Sequence, residues 1–206
     1  MPNHCDNRLT ITGDVAELKR FVLATHEGDN DYNFNKLVPL DPRASKEVRW
    51  AKEDGTEQVF SAFSSAEDGF DGYNNALEMW GTKWGAYDIQ PNGAWHEVLD
   101  KEDYHDITFA YQSAWSPARK LIQRISAQFP TLAFGVWYTE EGMGFCGWEL
   151  YKGGEEIDER AYDMDLPECN WDDDASIEKH DQALDELYET IEGGLHEATM
   201  EVMAGQ

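Results

Sequence analysis

The sequence predicts an α+β chain in the order strand, helix, strand, strand, helix, strand, and three observations carry that prediction. Arg8-Leu9-Thr10-Ile11-Thr12-Gly13 and Ile107-Thr108-Phe109-Ala110-Tyr111 alternate in the period of a strand with one buried face. Val15, Leu18, Phe21 and Val22, and later Leu121, Ile122, Ile125 and Phe129, instead recur at the spacing of a helix lying on a sheet. The dense runs Thr131 to Tyr138 and Gly144 to Tyr151 flank the turn Glu140-Glu141-Gly142 and read as a hairpin.

Each element has its own local reason. Asp14 followed by Glu17 is a capping-box pattern, so the first helix starts there and runs to about Ala24. From Thr25 to Asn75 the periodicity fades, and residues 25–79 are expected to form an irregular insertion ending in a short helix, Asn74 to Trp80. Ala86 to Gln90 supplies the second strand. Ser116-Pro117 offers a cap and a first-turn proline for the second helix, which Pro130 ends. This order is the split βαβ arrangement of a ferredoxin-like sheet, βαββαβ, with an added hairpin strand, over residues 1–153.

Past Gly153-Gly154 an acidic connector, Glu155 to Asp174, leads to a helix from Ser176 to Ala204. Its apolar stripe is Ile177, Leu184, Tyr188, Ile191, Leu195 and Val202, and Gly193-Gly194 is expected to kink or interrupt it. Residues 154–206 are expected to pack on the first domain.

Charge sets the class of partner. The 206-residue chain carries 42 acids and 16 bases, a net charge of -26. From Gly153 onward there are 18 acids and two bases, so the excess is concentrated in the last quarter. Such a surface repels nucleic acid and anionic membranes and attracts a basic protein. The cysteines, Cys5, Cys146 and Cys169, lie far apart without a CxxC pair, and no apolar run nears 20 residues; a cytoplasmic protein without disulfides, metal or cofactor is expected.

Trp80-Gly81-Thr82-Lys83-Trp84 is the most distinctive stretch. Trp80, Lys83 and Trp84 are candidates for an aromatic and cationic pocket, against the plainer reading that the indoles pack and Lys83 stacks on them. Gly142, Gly144 and Gly147 match G-x-G-x-x-G, but a strand follows where a dinucleotide site needs a helix. His196-Glu197 lacks the second histidine of a zinc-protease helix, with Met200 in its place. No nucleophile, base and orienter group together, so an enzyme is not the favoured reading.

Pro2-Asn3 with Cys5 and Asn7, Trp80-Gly81-Thr82-Lys83-Trp84, Trp115-Ser116-Pro117, and Glu141-Gly142 to Phe145 with Gly147 occur in this order. Over about residues 1–153 the chain thereby resembles the YubB-type ferredoxin-like domain of phage and plasmid proteins. The resemblance implies a mobile-element origin and an accessory role, with no catalytic residues to carry over.

The acidic tail has three readings: imitation of DNA phosphate rows, generic solubility, and the outer face of a helix docked on the first domain or on a second copy in a homodimer. The favoured one is a non-enzymatic, anti-defence DNA mimic that binds a basic, nucleic-acid-binding host protein. Its expected contacts are Asp172, Asp173, Asp174, Glu178, Asp181, Asp185, Glu186, Glu189 and Glu192. The alternatives are a small-ligand or nucleotide-processing enzyme with a pocket near Trp80 and Trp84, and a self-assembling structural module.

Overall fold

In the computed structural model, which describes residues 3–27, 31–52, 56–91 and 105–205, a six-stranded antiparallel sheet organises the chain. In order, β1 (His4–Thr12) leads to α1 (Val15–Thr25) and a short pair, β2 (His26–Glu27) and β3 (Asp31–Tyr32). A two-stranded ribbon, β4 (Ser45–Ala51) and β5 (Glu57–Phe63), precedes α2 (Gly72–Met79). Then come β6 (Tyr87–Pro91), β7 (Asp106–Ala114), α3 (Arg119–Gln128), β8 (Ala133–Glu140), β9 (Phe145–Lys152), β10 (Glu155–Asp163) and α4 (Asp174–Ala204). The sheet order is β10-β9-β8-β1-β7-β6. Its β8-β1-β7-β6 part is the ferredoxin-like arrangement, to which β9 and β10 are added at one edge. Pro2 and residues 28–30, 53–55 and 92–104 lie outside the described residues.

The burial of each strand follows from what covers it. In β1, Cys5, Asn7, Leu9 and Ile11 point inward and alternate with more exposed neighbours. By contrast, nearly every residue of β8 and β9 is buried. Their inner face meets the main core of Leu18, Phe21, Leu121, Ile122, Ile125 and Phe134. Their outer face meets α4 through Trp148, Leu150, Ile191 and Leu195. Double coverage is why these two segments read as continuous apolar runs.

Two glycines let α4 close on the sheet. A Cβ on Gly135 of β8 would lie 2.9 Å from Leu195 Cδ1, and a Cβ on Gly194 would lie 2.9 Å from Trp148 Nε1. Tyr188 completes the seam edge-on to Trp137, with ring centroids 5.0 Å apart. The helix runs unbroken over 31 residues, so Gly193-Gly194 does not interrupt it. Gly194 serves as the close-approach point to Trp148.

Three local expectations are corrected. Asp14 caps α1 through the Ala16 N–H, but Glu17 turns to Arg20 at 2.6 Å, so only half of the capping box forms. The second helix begins at Arg119 with no side-chain cap, rather than at Ser116-Pro117. Ser113 Oγ donates to the Ser116 carbonyl at 2.7 Å, and Trp115 takes a left-handed φ of 66°, so this segment reverses the chain off β7 instead of starting a helix. The first nine residues of the expected acidic connector form β10. Gly153 and Gly154, with φ of 61° and 89°, make the two-residue turn that joins it to β9. β10 carries Glu155, Glu156, Asp158, Glu159, Arg160 and Asp163, charges that blunt an exposed sheet edge but hide the strand period.

The two neighbouring glycines of α4 are expected to behave oppositely in thermal unfolding. Nothing lies within 4 Å of a Cβ on Gly193, so Gly193→Ala is expected to stabilise, by about 0.5–1 kcal/mol. Gly194→Ala presses on Trp148 and is expected to lower the melting temperature.

Candidate functional site

Segments remote in sequence meet at the end of the sheet where β1 begins, β7 ends and β8 turns into β9. The Trp115 N–H donates to the Asn3 carbonyl at 3.0 Å. Asn7 Nδ2 donates to Ser113 Oγ at 2.9 Å, and His4 Nδ1 lies 2.7 Å from the Tyr87 hydroxyl. A Cβ on Gly142 would lie 2.5 Å from Asn3 Nδ2, so the β8–β9 turn is pressed against the start of the chain.

The Trp80 to Trp84 stretch divides between packing and surface. Trp80 is half-buried against the main core, and its indole N–H donates to the Val38 carbonyl at 2.7 Å. Thr82 is buried, and its hydroxyl accepts the Gly85 N–H. Lys83 Nζ sits 4.8 Å from the Trp84 ring centroid and 6.0 Å from that of Trp115, a cation held between two indoles. Trp84 and Trp115 are 36% and 38% exposed. Lys83 and Trp84 therefore belong to this surface, whereas Trp80 points into the fold.

β9 carries a buried carboxyl group. Glu149 of β9 is fully buried, accepts a 2.5 Å hydrogen bond from the Tyr151 hydroxyl, and has its Oε1 2.7 Å from Arg119 Nε. Contact with Arg119 is ionic, since the N–H points off the hydrogen-bond direction and leaves Oε1 without an aligned donor. Burial pushes the Glu149 carboxyl up to about 7, with the Tyr151 hydrogen bond and Arg119 acting against the shift. Arg119 also pairs with Glu159 of β10 at 2.6 Å. Beside it opens a cleft of about 300 Å³ lined by Ser116, Pro117, Tyr138, Phe145 and Asp163. Burial pushes the nearby Cys5 thiol up to about 12, so it is a packing group rather than a nucleophile.

The acids of the tail occupy a different place. Asp172, Asp173 and Asp174 are exposed, and Asp173 caps α4 by accepting the Ala175 N–H. Asp174, Glu178, Asp181, Asp185, Glu186 and Glu189 line a shallow groove of about 660 Å³ along the helix, together with Ile177. Glu192 turns to Arg8, at a cleft of about 450 Å³ between α4 and the outer face of β1 and β7. Among the described residues, Glu192 is the only one of the nine expected contacts paired with a cation. Among those same residues no group of three or more His, Cys, Asp or Glu could hold a metal ion, and no helix is long and apolar enough to cross a membrane.

Sequence reasoning missed Arg119, Glu149, Tyr138 and Trp115. A single carboxylate inside the apolar run Phe145 to Tyr151 was a signal for Glu149. Arg119 had none, because its partners lie 30 and 40 residues away.

Two measurements probe this end of the sheet. A carboxyl whose pKa is raised by folding binds its proton more tightly in the native state, so its contribution is full below the ordinary glutamate range and is lost as pH rises through about 7. Glu149→Gln is expected to remove that slope from a plot of stability against pH, read by denaturant unfolding. Trp84→Ala is expected to cost less than the 3–5 kcal/mol of a fully buried tryptophan, since Trp84 remains 36% exposed.

No curated protein matches the chain. A crystal structure of a protein api92 from Yersinia pseudotuberculosis is 12% identical, with a TM-score of 0.48, over 79% of this chain and 98% of that one. Residues 94–182, which include β7, α3, β8, β9, β10 and the start of α4, match a family model described as "ferredoxin-like domain in Api92-like protein", so this part of the chain is similar to that domain and shares its ferredoxin-like fold.

Proposed function

We propose that the protein is a non-enzymatic, acidic accessory protein of a phage or plasmid, and that α4 binds a basic, nucleic-acid-binding host protein by imitating DNA. One observation carries the reading: a stripe of carboxylates along a helix whose C-terminal half is anchored on the sheet. Asp174, Glu178, Asp181, Asp185 and Glu189 recur at threes and fours, which puts them on one face of α4, and Glu192 continues that face. The docked residues Leu187, Tyr188, Ile191, Leu195, Ala198 and Val202 lie about a quarter-turn away. Glu192 pairs with Arg8 of β1 at the sheet, and the other carboxylates of the stripe are exposed without a cation partner among the described residues.

The density of charge suits the task. From Asp174 to Glu192 the six carboxylates span about 27 Å of helix axis, near one per 5 Å. One strand of duplex DNA carries a charge about every 3.4 Å. Asp172, Asp173 and Glu186 flank the stripe and add to it. Unpaired carboxylates draw a basic surface at long range, and the partner's release of bound anions strengthens the contact at low salt.

Three results together test the proposal: capture of basic DNA-binding proteins from host lysate, competition by duplex DNA, and loss of capture as salt rises. Replacing Glu178, Asp181, Asp185 and Glu189 with lysine is expected to weaken binding at least about 100-fold through the loss of charge complementarity. The melting temperature is expected to stay nearly unchanged, because these side chains are exposed. Capture that ignores both salt and charge reversal overturns it.

A further inference from the structure

We propose that the cleft beside the start of α3 binds a small monocarboxylic acid with an apolar or aromatic body, whose carboxylate takes the outer edge of the Arg119 guanidinium in place of Glu159. This is independent of the partner assigned to α4. The argument begins with how Arg119 is held. Its Nε faces the fully buried Glu149, which Tyr151 fixes from the other side, so the guanidinium is anchored from within. Arg119 is nevertheless 41% exposed and lines the cleft. A guanidinium whose Nε side is held by this buried ion pair leaves the Nη edge as a planar, two-pronged donor that matches a carboxylate.

The protein already shows one contact of this kind at Arg119 Nη1. Glu159, 48% exposed on the edge strand β10, places a carboxylate oxygen 2.6 Å from Arg119 Nη1. Ala161 and Asp163 alternate with it on the same face of β10 and line the cleft. Glu159 therefore acts as a tethered stand-in, held by a surface ion pair weak enough for a ligand to displace.

Shape and charge narrow the ligand. A cleft of about 300 Å³ admits a small molecule. Pro117, Phe145 and Ala161 offer an apolar lining, to which Ser116 adds a polar residue. Glu149, Glu159 and Asp163 lie around Arg119, the one cation among the described lining residues, so a phosphate dianion meets more repulsion than a monoanion does. One carboxylate with an apolar body fits this balance, and a nucleotide does not.

The test is an NMR titration of the full chain with benzoate, with methyl benzoate and inorganic phosphate as controls. Saturable shifts are expected at the Arg119 Nε–H and the Ser116 and Phe145 amides with benzoate alone. Glu159→Gln removes the internal competitor, and benzoate is expected to bind about 2- to 5-fold tighter, the range for an exposed pair. Arg119→Gln combined with Glu149→Gln avoids a buried unpaired charge and is expected to weaken binding at least about 10-fold, the loss of a charge-assisted, two-pronged contact. Shifts centred elsewhere, an unchanged affinity in Glu159→Gln, or phosphate binding as tightly as benzoate overturns the proposal. Should the double variant fail to fold, the Glu159→Gln comparison decides alone.

Discussion

The close approach of α4 to β8 and β9 is the constraint on which the rest of the molecule depends. It requires a glycine on each side, Gly135 under Leu195 and Gly194 over Trp148, because a side chain at either position would occupy its neighbour's space. Leucine and isoleucine buried at that seam each contribute about 1.5–3 kcal/mol, enough to hold a long helix with nine acids among its 31 residues. Once the seam is fixed, so is the rotation of the helix about its axis. The direction of the carboxylates is then set: Asp174 to Glu189 point to solvent, and Glu192 meets Arg8 of β1.

A second consequence runs through the sheet to the other face. β8 and β9 are covered on both sides, yet β9 carries Glu149 in the main-core layer. Burying a carboxylate is costly unless it is paired and hydrogen-bonded, and Arg119 and Tyr151 meet that need. Arg119 is the first residue of α3, a helix that starts without a side-chain cap. The ion pair pins this end of α3 to the sheet and at the same time aims a guanidinium at the neighbouring cleft.

How much of this was legible in the sequence depends on whether each signal is local. Leu18, Phe21 and Val22 declare a helix face by spacing alone, and the runs around Phe134 and Trp148 declare buried strands. β10 escaped because an edge strand defended by charge lacks apolar alternation, although Gly153-Gly154 between two strands was a readable turn. Ser116-Pro117 misled for the opposite reason: its chemistry suits a helix start, but Trp115 and Ser113 commit the same backbone to a chain reversal. Within the candidate sites, the tail acids were nameable from sequence, while the Arg119, Glu149 and Glu159 cluster was not.

By itself the sequence determined the α+β order, the placing of the core helices and strands, the acidity of the last quarter and the amphipathic character of its helix. These follow from periodicity and composition, which act over one or two turns of chain. Only the tertiary structure decided that α4 covers the outer face of the sheet, that Lys83 rests between Trp84 and Trp115, and that a buried glutamate meets an arginine from another element. Such pairings depend on which surfaces close together in space, and no local spacing encodes a contact between residues tens of positions apart.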